Sequence, residues 1–300
     1  MSDAPVITDV MPLPLAPVAA PKAWGGSAHT SLNVPAQADG VNWGEIWLAS
    51  EDFGVTTKIS SGPMEGQSPT SVRARWGDVL TGPGAGPGRK GLNFSFRMER
   101  TGPEPAPVRV LSGDEFWYVL EAGPDAWLGA GTVRDDGPWP QRLNKIAAEA
   151  GARHLFPAGV ARTQGPNTTV LKVLPSGSMI QTLFDWGRTP DAFDFTPPPV
   201  DVDVTNAYMP SLRTVIEGSN RMIYQGPLYK VTLCSTKFFT STGEKMSVIC
   251  PARGRGRITT SGQQQTTRLH PGQAVILPAG LGRYSIESGT VVSYLLFEFN

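Results

Sequence analysis

The chain has 300 residues, enough for about two domains of roughly 100 to 200 residues each. Its 26 basic residues balance 26 acidic ones and no Lys/Arg run stands out, which argues against nucleic acid or an anionic membrane as partner. Charged residues are only 17% of the chain while glycine (34) and proline (28) are frequent, the composition of many short strands joined by tight turns.

The opening stretch, Met1 to Pro21, is rich in Ala, Val and Pro, but it lacks a basic start and is interrupted at Pro12, Pro14 and Pro17, so it reads as neither a signal peptide nor a membrane span. β-branched and aromatic content predicts strands at Val55 to Ile59, Leu92 to Met98, Val108 to Leu111, Glu115 to Leu120, Thr169 to Leu174 and Ile180 to Trp186. Helical spacing is confined to Ser71 to Leu80 and to Pro140 to Ala150, the latter with Leu143, Ile146 and Ala147 on one face and Gly151 as a stop. Pro197-Pro198-Pro199 is stiff and cannot join a sheet, so a domain boundary is expected there, between residues 1–195 and 200–300. Beyond it the strand pattern resumes at Leu228 to Leu233, Met246 to Cys250, Gly256 to Thr260, Ala274 to Leu277, Gly282 to Ile286 and Val291 to Phe299.

One echo ties the halves together. Phe156-Pro157-Ala158-Gly159 and Leu277-Pro278-Ala279-Gly280 each enter a tight turn, and each is followed by a hydrophobic strand. This predicts two β-barrels of one design. Cys234 and Cys250 are too few for a disulfide scaffold and form no CxxC pair, which predicts a reducing, cytoplasmic setting.

Five motifs in order carry a resemblance over nearly the whole chain. They are Lys22-Ala23-Trp24-Gly25-Gly26, Gly44-Glu45-Ile46-Trp47-Leu48-Ala49-Ser50, Asp114-Glu115-Phe116-Trp117-Tyr118-Val119-Leu120, Phe156 to Gly159, and Phe184-Asp185-Trp186-Gly187-Arg188. Together they resemble the short bacterial form of type I phosphomannose isomerases. These are two-barrel cupin (jelly-roll) proteins that use one zinc ion to interconvert mannose 6-phosphate and fructose 6-phosphate. The resemblance implies two cupin barrels with a few short helices, the second of them metal-free.

It also implies a loss. The family holds zinc with a Gln and a His two apart on one strand, with the Glu of TExWYxL, and with a His after the PxG turn. Those positions fall on Arg109, Leu111, Glu115 and Arg162, so only Glu115 keeps a ligand, and no metal cofactor is expected. On the substrate side a family Lys falls on Arg97, a Glu on Lys172 and the Arg of TTYR on Thr182. The remaining histidines do not make up the set: His29 falls in a loop after the first motif, His154 precedes the Pro-Ala-Gly turn by three residues and His270 begins a turn in the second barrel.

Four readings of this interior stay open: a structural plug with Glu115 bridged to Arg109 or Arg162; an anion site for a sugar phosphate; metal-free isomerisation with Glu115 as base and Arg109 as electrophile; and a displaced metal site. Asp185 and Arg188 serve either as a phosphate clamp or to close the barrel. Trp24, Trp47, Trp117 and Trp186 either stack on sugar rings or pack the core. Gly82 to Gly91 lacks the GKS/T of a phosphate loop and reads as a connector, and Arg253, Arg255 and Arg257 read as a solvated edge. The leading expectation is a pseudoenzyme that binds an anionic carbohydrate or acts as a structural or regulatory partner. An active mannose-6-phosphate isomerase with a relocated metal or a metal-free proton shuttle is the alternative. No protein partner can be named from the sequence.

Overall fold

The computed structural model describes residues 10–26, 42–83, 92–133, 137–188, 215–217, 220–261 and 266–299. The expected boundary at Pro197 to Pro199, His29, and most of the Gly82 to Gly91 connector lie outside them. The chain is mainly β, with antiparallel sheets in the manner of a cupin jelly roll.

Two sheets enclose the N-terminal interior. One has six strands, with the strand Phe94–Arg100 between Trp43–Ala49 and Thr168–Pro175, and then Glu115–Ala122 followed by the edge strand Arg153–Phe156. The other has five strands and contains Val108–Leu111 and Arg162–Gln164 side by side. A ten-stranded sheet carries the C-terminal half. It also takes in Leu13–Ala16, which pairs with Val275–Leu277 (Leu13↔Ile276) and so stitches the start of the chain into the C-terminal sheet.

The six-stranded sheet is buried on both faces, and its sequence alternates accordingly. Along Phe94–Arg100, the residues Phe94, Phe96 and Met98 point one way and Arg97 and Glu99 the other. In the same manner Phe116 and Tyr118 share a face with Leu171 and Val173, while Glu115, Trp117 and Lys172 share the opposite one. The apolar face packs on the ten-stranded sheet in one continuous core that includes Val231, Val248, Ile276, Leu295 and Phe297. Aromatic rings lock this seam: Phe96 meets Phe297 edge-on at 4.9 Å and Phe94 stacks on Phe299 at 5.0 Å. Each such pair contributes about 0.5–1.5 kcal/mol beyond its area burial. On its far face the ten-stranded sheet buries a second apolar interior.

The strands Val108–Leu111 and Gly256–Thr260 occur where expected, whereas Gly282 to Ile286 and Val291 to Phe299 prove to be one continuous strand, Gly282–Phe299. The first helical expectation becomes two short helices, Pro69–Trp76 and Asp78–Thr81, separated at Gly77, whose φ is 51°. Ser68 caps the first, its hydroxyl accepting from the Ser71 N–H. The second helical expectation is corrected. Only Trp139–Arg142 is helical, and Leu143–Ala147 is a strand paired with Trp127–Thr132 (Leu128↔Ile146). The open edge of Trp127–Thr132 offers backbone hydrogen bonds over five residues, and this outweighs a local spacing that contains a single helical turn.

Candidate functional site

Strand alternation, rather than any loop, delivers charge into the N-terminal interior. Arg97 and Glu99 come from one strand, Lys172 and Glu45 from its two neighbours, and Glu115 and Lys22 from the strands beyond these. Arg109 and Arg162 come from the opposite sheet. All eight side chains are buried, from 1% exposed for Glu99, Glu115 and Arg162 to 7% for Lys22 and Arg109. In water each would be solvated; here each must find its partner among the others.

Within each sheet the pairing is repulsive. Glu45 stands directly opposite Glu99, Arg97 opposite Lys172, and Arg109 opposite Arg162. Attraction comes from across the sandwich and along the diagonals. Arg109 Nη1 donates to Glu45 Oε1 at 3.0 Å and to Glu99 Oε1 at 3.3 Å. Arg97 Nη2 lies 2.9 Å from Glu99 Oε1 and 3.4 Å from Glu115 Oε1, and the Lys172 ammonium donates to the other Glu99 oxygen. Arg162 Nη1 sits 3.6 Å from Glu115 Oε2, and its guanidinium also donates to the carbonyls of Phe156 and Pro157 at 3.1 and 3.3 Å. The Pro-Ala-Gly turn therefore fixes Arg162. Gly159 at its end has φ 79°, and its N–H donates to the Leu111 carbonyl.

Tryptophan rings line the cations. Lys172 Nζ lies 3.9 Å from the centre of Trp117, and the Arg97 guanidinium 5.1 Å from that of Trp47. Burial would push the Glu99 carboxyl up, but Arg97, Lys172 and Arg109 together hold it down at about 2, so it stays ionised. Burial lowers Arg162 to about 10 against the pull of Glu115 and Asp114, which leaves it a cation at neutral pH. Burial likewise lowers Lys172, with Glu99 and Glu115 opposing. The space left among Arg97, Glu99, Arg109, Glu115, Arg162 and Lys172 is about 10 Å³. One water needs about 10–15 Å³, and small-molecule pockets run to about 300–1,000 Å³.

Five of the seven expected site residues, Arg97, Arg109, Glu115, Arg162 and Lys172, converge here. Thr182 lies opposite Arg109 on the neighbouring strand and does not line the cavity. Arg188 does not line it either, donating to Asp185 Oδ1 at 2.9 Å and to the Pro105 carbonyl at 2.9 Å, contacts that fasten the Phe-Asp-Trp-Gly-Arg turn to the chain before Val108. Glu115 is bridged to Arg162 and Arg97, while Arg109 turns to other carboxylates.

Glu115 is also not the sole carboxylate of this interior. Glu45 and Glu99 share the network, as does Lys22, 3.7 Å from Glu45. The alternation Arg97-Met98-Glu99 was the signal for Glu99, and Lys22 and Glu45 both sit inside recognised motifs. Among the described residues no three His, Cys, Asp or Glu side chains are grouped so as to hold a metal ion. His154 is buried beside Phe156, and burial together with Arg153 lowers it to about 4, so it is neutral.

No protein-family model matches the chain, and no curated protein matches it in sequence. Solved structures do. Mannose 6-phosphate isomerase from Bacillus subtilis superposes with a TM-score of 0.76 at 17% identity, covering 95% of this chain and 98% of its own. A phosphomannose isomerase variant from Salmonella typhimurium gives 0.73 at 12% identity, with 96% and 99% covered. A zinc-bound mannose 6-phosphate isomerase gives 0.73 at 11% identity over 96% and 99%. At such identities the likeness establishes a shared phosphomannose-isomerase-like cupin fold over nearly the full length.

Proposed function

We propose that this chain is a non-catalytic protein built on the phosphomannose isomerase fold, a pseudoenzyme whose N-terminal interior is closed by an ion-pair network. One observation carries the reading: eight buried charged side chains fill the space between the two sheets and leave about 10 Å³. A hexose phosphate does not fit there without breaking the network, and its anionic group would meet Glu45, Glu99 and Glu115 as well as the cations. The residues also do not suit zinc. A catalytic zinc site supplies about three N, O or S ligands. Here Glu115 already faces two guanidinium groups, and Leu111 offers no donor atom.

Aldose-ketose isomerisation needs an electrophile at the carbonyl and a base at the adjacent carbon. Glu115 lies between Arg97 and Arg162 with no room for a carbon substrate beside it. The protein's role is therefore assigned to its surface and assembly, as a binding, structural or regulatory component. Both cysteines are buried free thiols, which supports a reducing cytoplasmic setting. No helix among the described residues is long and apolar enough to cross a membrane.

Metal analysis of the purified protein, combined with an assay of mannose 6-phosphate and fructose 6-phosphate interconversion with added zinc, tests the proposal. Neither stoichiometric zinc nor turnover is expected. Bound zinc accompanied by turnover defeats the reading.

A further inference from the structure

The six-stranded sheet ends at the strand Arg153–Phe156, and near this edge a cleft lies between the two halves, lined by residues of both. It has two compartments, of about 400 and 670 Å³, which share Tyr118, Ala150 and Gly151. Both volumes fall in the range of small-molecule sites. Ala150 and Gly151 form the wall that the two compartments share with Tyr118. Gly151 is held at φ 86°, and a Cβ there would come within 3.9 Å of the Tyr118 hydroxyl.

The charges on its walls come from both halves of the chain. Arg153 and Arg221 line the smaller compartment, and Arg253 and Arg255 the larger. One carboxylate faces each compartment, Glu149 and Glu121, so arginine outnumbers glutamate in both. Glu121 is in addition bound by Arg100 at 3.3 Å and by the Thr169 hydroxyl at 3.1 Å, which turns part of its charge away from the cleft. The Tyr118 ring is buried in the shared wall. Burial raises its hydroxyl's pKa, and the guanidinium groups of Arg153 and Arg221 pull it back, which puts both arginines in electrostatic reach of that oxygen.

We infer that this cleft binds a small phosphate monoester, its phosphoryl group held in the smaller compartment by Arg153 and Arg221 beside the Tyr118 hydroxyl and the rest of the molecule lying in the larger compartment. Guanidinium forks match phosphoryl oxygens, and a phenolic hydroxyl supplies a further donor. The inference goes beyond the closed N-terminal interior and does not depend on it, because the cleft lies on the opposite face of the six-stranded sheet.

Calorimetric titration with mannose 6-phosphate, inorganic phosphate and mannose, on the wild type and on Arg153→Ala, Arg221→Ala and Tyr118→Phe, tests it. Arg221 is exposed, Arg153 is half-buried and neither belongs to an apolar core, so their removal should leave the cores intact, which thermal melting by circular dichroism checks. The phosphorylated sugar or inorganic phosphate should bind and mannose should not. Each arginine variant should weaken binding about tenfold, the worth of one charge-assisted hydrogen bond, and Tyr118→Phe by less. No binding of either phosphate probe, or binding unchanged in both arginine variants, overturns the inference. Turnover of the sugar phosphate would instead overturn the non-catalytic reading and leave the cleft standing.

Discussion

The two interiors of this protein are built on similar antiparallel strands and filled by opposite chemistry. Between the N-terminal sheets lie Lys22, Glu45, Arg97, Glu99, Arg109, Glu115, Arg162 and Lys172; within the C-terminal half lie Ile249, Val275, Leu277, Ile286 and Leu296 with Tyr284 and Tyr294. Aliphatic packing is non-directional and tolerates small volume changes. An ion-pair interior is all or nothing: intact, it is worth no more than a well-packed apolar replacement of the same shape, yet removing one member strands the others without water. The N-terminal interior is therefore the brittle one, and Glu99 is its pivot because Arg97, Arg109 and Lys172 all rest on it.

The largest break is expected at that pivot. Glu99→Ala should destabilise the fold by about 3–5 kcal/mol in chemical denaturation, since three buried cations lose their shared partner. A loss below about 1 kcal/mol would mean that the charges are better solvated than their burial indicates.

Acid should separate the two interiors next. The Glu99 carboxyl is held at about 2 against an ordinary 4.5, so its ionisation contributes stability that is present above about pH 4.5 and lost as the pH falls toward 2. Glu99→Gln should accordingly flatten the pH dependence of stability across that window relative to wild type, and an unchanged slope would reassign the acid sensitivity to other carboxylates. The smallest effect belongs to the C-terminal interior. Ile249→Val should cost about 1 kcal/mol, the loss of one buried methylene, and its cost should not vary between pH 7 and pH 4 because no titratable partner is involved. A cost that grows with acid would show that the two interiors are coupled through the sheet between them.

The cores differ in how far they could be read from the chain. The aromatic seam was legible, because Phe94-Phe96-Met98 and Phe116-Tyr118 alternate with a period of two and only a sheet uses that period. The cupin fold was legible in the order of five motifs, and the arrival of arginine and lysine at Arg109, Arg162 and Lys172 was visible residue by residue. The strand Leu143–Ala147 was misread as helix because nothing local to it reveals the waiting edge of Trp127–Thr132.

What the sequence by itself determined is the alternation: which residues face which side of each strand, and hence that charge enters one interior and hydrocarbon the other. Only the tertiary structure decided who pairs with whom. Residues directly opposite one another on paired strands are like-charged, Glu45 with Glu99 and Arg109 with Arg162, and attraction comes from diagonal neighbours and across the gap between the sheets, both set by strand order and packing. The Tyr118 cleft has the same origin. Arg153 and Arg221 are far apart along the chain and line one compartment because the edge strand of the six-stranded sheet lies against the C-terminal half.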